Sequence, residues 1–205
     1  MAEIGLRERK KRRMYEVVSE IAIRLFLEKG FDAVSVAEVA AAADISKPTL
    51  FRYFPTKEDL VLYRIADHED EAARVVAEAR GASPIGALRR HFLDGLKRCD
   101  PVTGLNDHPA VLAFHSLLYG TPALLARVYA YLERSEAALA EALGGGLEAR
   151  LAAGQIVAVQ RILALENWRR IADGERVEAV RGDAVAAAEG AFGRLAAGLP
   201  QFAGA

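Results

Sequence analysis

With a single cysteine, Cys99, this 205-residue chain cannot close a disulfide within itself, the usage expected in a reducing compartment. On an apolar helix that thiol is expected as a small packed residue rather than a redox sensor. Aromatic residues make up only 7% of the chain, and nowhere do apolar and polar residues alternate with the period of two that marks a strand. No apolar run approaches the ~20 residues a helix needs to cross a bilayer, and no secretory apolar core follows Met1. These absences argue against strands and a membrane, and the expected location is the cytoplasm. Chemistry-bearing motifs are missing too: there is no Gly-rich phosphate loop, His-Glu-x-x-His, nucleophile elbow or paired cysteine motif. His108 and His115 stand seven apart, too far for a chelate across one turn, and with His68 and His91 elsewhere neither a metal nor a cofactor is expected. An all-helical enzyme with dispersed acid–base groups is the competing reading that missing motifs leave open.

Charge of one sign is also lacking, since the formal net charge is -1. Its distribution is uneven: residues 1–64 hold 12 Lys and Arg against 10 Asp and Glu, leaving residues 65–205 mildly acidic. Arg7, Arg9, Lys10, Lys11, Arg12 and Arg13 crowd together just before the first expected helix. Such a run reads either as a solvated tail or as an arm that reaches phosphates or the minor groove.

What is present is a succession of helix signals. Residues 14–30 predict a helix with Val18, Ile21, Ala22, Leu25 and Phe26 on one stripe, stopped by a left-handed Gly30. Ser35 is placed to cap a second helix from about Val36, with Glu38 reaching back to the Ser35 amide. Val39, Ala40 and Ala43 share a face, and the run of alanines lets another helix cross closely. Asp44 and Ile45 make a turn, Asp being among the few residues other than glycine that tolerate a left-handed backbone. Ser46 caps a third helix, from about Lys47 to Tyr53, with Pro48 in its first turn, where a missing amide hydrogen costs nothing. Leu50, Phe51 and Phe54 are expected inward, leaving Lys47, Thr49, Arg52 and Tyr53 as outward donors suited to phosphates and base edges. Two short helices across a tight turn outline a helix-turn-helix, which an ordinary helical hairpin also shares. Thr56 then caps a further helix whose first turn carries Glu58 and Asp59.

The segment from Arg13 to Tyr63 carries Leu25-Phe26, Glu28-Lys29-Gly30-Phe31, Val36-Ala37-Glu38-Val39-Ala40 and the run Ser46 to Leu60 with its Tyr53-Phe54-Pro55-Thr56-Lys57-Glu58-Asp59-Leu60 ending. It closely resembles the N-terminal DNA-binding domain of the TetR family of bacterial transcriptional repressors. The resemblance covers about a quarter of the chain and implies base contacts at Lys47, Pro48 and Thr49, with phosphate contacts at Tyr53, Lys57 and, more weakly, Ser35. Arg52 joins this DNA-binding set as an outward donor. The resemblance further implies an all-α protein: a DNA-binding domain over residues 1–56, then a helical ligand-binding and dimerisation domain over 57–205. Its partners would be a palindromic double-stranded operator, a small, largely apolar effector and a second copy of the chain. A TetR-like activator without a small-molecule inducer remains an alternative.

Beyond this segment, caps and breakers predict one long connecting helix from Lys57 to about Arg80, then helices from Ser83-Pro84 to about Cys99 and from Ala110 to Tyr119. Another opens at Thr121-Pro122 and runs to the Gly144-Gly145-Gly146 break, and two more span about Leu147–Ala172 and Arg176–Leu199. In the last two, Ile156, Val159 and Leu163 with Ala184, Ala188, Ala191 and Leu195 form apolar stripes that serve as core or, as the resemblance implies, as a homodimer face. Phe92, Leu96, Phe114, His115, Leu118, Tyr119, Tyr129 and Trp168 mix apolar bulk with polar tips, the make-up of an apolar ligand pocket and equally of a core.

Overall fold

A computed structural model of the chain describes residues 5–66, 68–79 and 81–204, and their side chains except those of residues 6–8. Among the described residues all regular structure is helical: α1 (Leu6–Lys29), α2 (Val36–Ala42), α3 (Lys47–Tyr53), α4 (Asp59–Ala66), α5 (Glu71–Glu78), α6 (Pro84–Arg98), α7 (Pro109–Gly120), α8 (Pro122–Ala142), α9 (Gly146–Ala172), α10 (Val177–Gly198) and α11 (Pro200–Ala203), with a 3-10 turn at Pro101–Thr103. The chain divides into two compact units, Met1–Asp67 with Ala113–Tyr129, and His68–Leu112 with Ala130–Ala205. Among the described residues no single helix is long and apolar enough to cross a membrane.

In the first unit α1 buries Val18, Ala22, Leu25 and Phe26 as its stripe predicts, while Ile21 is only half-buried. It ends at Gly30, whose φ of 91° lies in the region glycine enters freely and whose N–H reaches the Phe26 carbonyl at 2.9 Å. The helix starts earlier than predicted, so Arg9 to Arg13 form its exposed first turns rather than an arm before it. Lys and Arg are good helix formers, and Arg12 Nε pairs with Glu16 one turn on at 3.2 Å. The side chain of Arg7 lies outside the described residues. Ser19, buried in α1, donates from Oγ to the Leu60 carbonyl at 2.7 Å and so ties α1 to α4. Leu50, Phe54, Leu60, Val61 and Val39 complete a core with 1% exposure or less. Each such side chain stabilises the fold by roughly 1.5–3 kcal/mol relative to exposure.

The predicted connecting helix is interrupted: α4 ends at Ala66, residues 68–70 form a turn, and α5 starts at Glu71. Arg80, its predicted end, lies outside the described residues. Acidic residues crowd this stretch of sequence, at Asp67, Glu69, Asp70 and Glu71, and like charges one turn apart disfavour a continuous helix. Glu71 instead lies between two imidazoles, with His68 Nδ1 at 2.9 Å and His91 Nε2 of α6 at 3.1 Å.

The core of the second unit is assembled from α6, α9 and α10. Leu88, Phe92, Leu96, Ile156, Ala188 and Phe192 are buried there, with the Phe92 and Phe192 rings 6.0 Å apart. Of the two uses open to the apolar stripes, Ile156, Ala184, Ala188, Ala191 and Leu195 take the core one, being buried within the single chain, and Val159 and Leu163 are partly buried against that core. Both helices are apolar on more than one side, and the sequence period could not distinguish the inner face from the outer. Cys99 is packed against this core as expected, but at the end of the helix rather than within it. It caps α6 at a left-handed φ of 53°, half-buried, with its Sγ 3.0 Å from Nη2 of Arg181.

Candidate nucleic-acid interface

α2 and α3 are short, and local side chains fix their ends. Ser35 Oγ accepts the Glu38 amide at 3.1 Å, and the Glu38 carboxylate interacts in turn with the Ser35 backbone amide, as the capping box predicts. It also pairs with Lys29 at the end of α1, which is the larger cause that pulls the Glu38 carboxyl below its ordinary range and raises the Lys29 ammonium. Asp44 holds the turn at a φ of 52°, as its residue type allows. Ser46 Oγ accepts the Thr49 amide at 3.2 Å and lies 2.8 Å from the Thr49 hydroxyl, so the first turn of α3 is closed by side chains.

Helical geometry then sorts the rest of α3. Leu50 and Phe54, one turn apart, take the inward direction and are fully buried. Lys47, Pro48, Phe51 and Arg52 are exposed on the opposite side, and Thr49 and Tyr53 are half-buried along its flanks. Phe51 therefore corrects its predicted inward placement: it is 40% exposed, and the Lys47 ammonium sits 5.8 Å from its ring centre. An exposed aromatic ring beside a lysine on this helix is a surface feature that sequence reasoning missed. The signal was available, since Leu50 and Phe54 already fill the inward direction and Phe51 lies well to one side of them.

Lys57, expected at a phosphate, lies half-buried in the turn before α4 and donates to the Phe31 carbonyl. Its ammonium also stands 4.4 Å from the Phe31 ring centre and 5.4 Å from that of Phe26. It anchors the loop between α1 and α2 whatever else it touches. At the start of α4 the Asp59 carboxylate accepts the Thr56 amide at 2.9 Å and the Thr56 hydroxyl accepts the Asp59 amide at 3.3 Å. Arg127 of α8 closes on this pair, 2.8 Å from Asp59 and 3.3 Å from Thr56. Tyr53 meets Tyr15 of α1 edge-on at 5.1 Å, and the Arg52 guanidinium lies 5.3 Å from the Tyr53 ring centre. Ser35, Lys47, Pro48, Thr49, Arg52, Tyr53 and Lys57 thus all belong to the first unit, on α3 and the turns beside α2 and α4.

The predicted pocket residues fall in both units. Phe92 and Leu96 are buried in the core of the second, and Trp168 of α9 is half-buried there. Phe114, His115, Leu118 and Tyr119 line up on α7 within the first, with His115 6.0 Å from Phe114 and 6.1 Å from Tyr119 between ring centres. Leu118 is buried, Phe114, His115 and Tyr119 are half-buried, and Tyr129 on α8 is 52% exposed. Burial lowers the His115 imidazole pKa and keeps the ring neutral at physiological pH. Among the described residues no group of His, Cys, Asp or Glu is arranged to hold a metal.

Residues 20–63 match the family described as bacterial regulatory proteins, tetR family. Over 136 residues the chain is 35% identical to the HTH-type transcriptional regulator TcmR of Streptomyces glaucescens, a match covering 64% of this chain and 58% of TcmR. The chain therefore spans little more than half the length of that relative. Its fold is similar to that of NalD, the secondary repressor of the MexAB-OprM multidrug efflux pump in Pseudomonas aeruginosa, with a TM-score of 0.60 over 89% of this chain and 96% of NalD at 15% identity. It is similar also to Thermus thermophilus FadR, a TetR family repressor solved with lauroyl-CoA, with a TM-score of 0.52 over 88% of this chain and 92% of FadR at 21% identity. TcmR is named as a regulator of transcription, and NalD and FadR as repressors. With its capped helix-turn-helix and the exposed outer face of α3, the segment over residues 20–63 is a match to the tetR family of bacterial regulatory proteins.

Proposed function

We propose that the chain is a cytoplasmic, homodimeric repressor that binds a palindromic operator through α3 and is released by a small, largely apolar ligand. The observation that carries the reading is the outer face of α3. Lys47, Pro48, Phe51 and Arg52 are exposed together on a seven-residue helix whose N-terminus Ser46 caps, the end that meets base edges in helix-turn-helix proteins. Lys47, Pro48 and Thr49 contact bases in this reading, while Arg52, Tyr53, Lys57 and the Ser35 end of α2 contact phosphates. The exposed Arg9 to Arg13 add further phosphate contacts along α1.

One α3 reads only a few base pairs, so a symmetric pair is needed to read both halves of an operator about 34–36 Å apart. A dimer face is available on the outer sides of the last two long helices. Ala179, Gly182, Ala186, Gly190, Gly193 and Ala197 are exposed along one side of α10, and Leu147, Leu151 and Ile162 are exposed on α9 at 67%, 53% and 55%. Glycine costs an exposed helix ~1 kcal/mol at each position, and three on one face are accounted for if another helix packs closely there. For the effector, the half-buried Phe114, His115 and Tyr119 of α7 supply the apolar lining, and FadR offers the precedent of an acyl ligand in this fold. A strong switch requires the ligand to prefer the released arrangement by ~5.5 kcal/mol.

Retardation of DNA from upstream of the chain's own gene, at sub-micromolar protein, tests the reading directly. Thr49→Ala should relax sequence preference by ~1–3 kcal/mol, whereas neutralising Lys10 and Lys11 should weaken all sequences alike and flatten the salt dependence. An unchanged sequence preference in Thr49→Ala would remove α3 from the interface.

A further inference from the structure

Tyr15 of α1 is the centre of an aromatic cluster that joins three helices of the first unit. Its ring meets Tyr53 edge-on at 5.1 Å and 86°, meets Phe54 at 5.1 Å and 74°, and stacks on Tyr63 of α4 at 5.0 Å and 12°. Tyr63 closes the group by meeting Phe54 at 6.1 Å. Phe54 is fully buried, but Tyr15, Tyr53 and Tyr63 are half-buried at the rim, outside the closed core of Val18, Phe26, Leu50 and Leu60. Edge-to-face and stacked rings are directional contacts, which aliphatic side chains at the same rim would not supply. Among the described residues the Tyr53 phenol has no hydrogen-bond partner within the chain, so its ring is held while its polar end is not.

We infer that Tyr15, backed by Tyr63, is a positioning residue for the DNA contact of Tyr53: it fixes the Tyr53 ring from α1, so that the phenol meets a phosphate without first having to be ordered. The inference rests on the DNA-binding reading above. A side chain that a complex must immobilise costs affinity, and one already held by its neighbours does not. Tyr15 touches no DNA in this arrangement and acts only through Tyr53. It continues the buried stripe of α1, three residues before Val18, which is the sequence signal that marks it.

The test is a double-mutant cycle read in two ways: affinity by fluorescence anisotropy on labelled duplexes tiling the DNA upstream of the gene, and melting temperature. Tyr15→Leu should bind about three- to tenfold more weakly, and Tyr15→Phe, which keeps the ring, should bind like wild type. In a Tyr53→Phe background, where no phenol is left to place, Tyr15→Leu should change affinity by less than about twofold while lowering the melting temperature as much as it does alone. Equal affinity losses in both backgrounds would make Tyr15 a packing residue only and overturn the inference. A loss in Tyr15→Phe would make it a direct contact and overturn it equally. Wild-type protein that binds none of the duplexes would overturn the DNA-binding reading and this inference with it.

Discussion

The two units of this chain are held together by different means. In the first, helices of seven or eight residues are too short to persist by themselves, and their ends are set one by one by Ser35, Ser46 and the Thr56–Asp59 pair around a core of aromatic and aliphatic side chains. In the second, α9 and α10 run for 27 and 22 residues, and neither has a side-chain cap at its N-terminus. Alanine, valine and leucine meet across these helices at close range, and backbone approaches backbone where Gly104 lies against α9. The difference suits the roles proposed for them. A surface that reads DNA needs individually fixed side chains, whereas helices that pair with a second copy need closeness more than individual placement.

The largest effect should come from breaking the close approach in the second unit. Gly104 has a φ of 72°, and a Cβ added there would stand 1.9 Å from the Ala164 carbonyl oxygen, a backbone atom that cannot swing away. Gly104→Ala should therefore cost about 3 kcal/mol or more, because α9 must shift as well as the turn. Gly30 in the first unit supplies the contrast. Its φ is 91°, but an added Cβ would meet nothing within 4 Å, so Gly30→Ala should cost only the torsional ~1–2 kcal/mol. Urea denaturation of both variants checks the ranking, and equal losses would show that the two units are not packed by different rules.

The same contrast decides what could be read from the sequence. Ser35, Asp44, Ser46 and Pro48 act within three or four residues of themselves, and the turn and the starts of α2 and α3 were legible for that reason. Glu38 was legible in its local part, its amide going to Ser35 Oγ and its carboxylate to the Ser35 amide as expected, but the same carboxylate also goes to Lys29, nine residues back, and local spacing carries no information about such a partner. Phe51 was misplaced because three apolar residues competed for a face that holds two. The break after Ala66 was missed because no Gly or Pro marks it, only a run of acids. In α9 and α10 the difficulty is deeper, for alanines occupy several faces and packing alone decides which are inside. Most of the stripe that could have served as core or dimer face is therefore core, and the exposed glycines and alanines on the other side of α10 emerged only from the fold.

A smaller effect should sharpen the role of the caps. Ser46→Ala removes the acceptor for the Thr49 amide and the partner of the Thr49 hydroxyl, and should cost ~1 kcal/mol of stability. Arg176→Ala, at the N-terminus of α10, removes a residue whose side chain makes no cap and should stay within ~0.5 kcal/mol of wild type. Thermal unfolding of the pair measures the difference, and an Arg176→Ala loss as large as that of Ser46→Ala would contradict the account of α10 as a helix held by its faces.

The smallest effect concerns polar contacts in the second unit, which the comparison treats as secondary there. Glu71 lies between His68 and His91, which holds its carboxyl well below the ordinary range, mainly through their hydrogen bonds. Its hydrogen bond raises the His91 imidazole in turn, against partial burial. Other charges face the group: Glu69 pairs with Arg134 of α8, Asp70 with Arg74, and Arg98 and Asp100 act on His91. Tyr131 of α8 is pushed upward by burial and by these acids, so it stays a neutral phenol. A raised imidazole contributes stability that is complete below its unfolded value of about 6.5 and lost as pH rises through the higher folded value. A lowered carboxyl contributes stability that is complete above about 4.3 and lost as pH falls through its folded value. Between those limits both contributions act, so stability should decline as pH rises from about 6.5 through the raised folded value of His91. With side chains 39% and 26% exposed, the His91–Glu71 pair is screened by solvent, and the decline should be on the order of 0.5 kcal/mol. His91→Gln keeps a hydrogen-bond donor to Glu71 but cannot titrate, so it should flatten this part of the urea-midpoint profile. A profile that keeps its slope in His91→Gln would assign the pH dependence to another group and leave the contacts around Glu71 without a measurable share in the stability of the second unit.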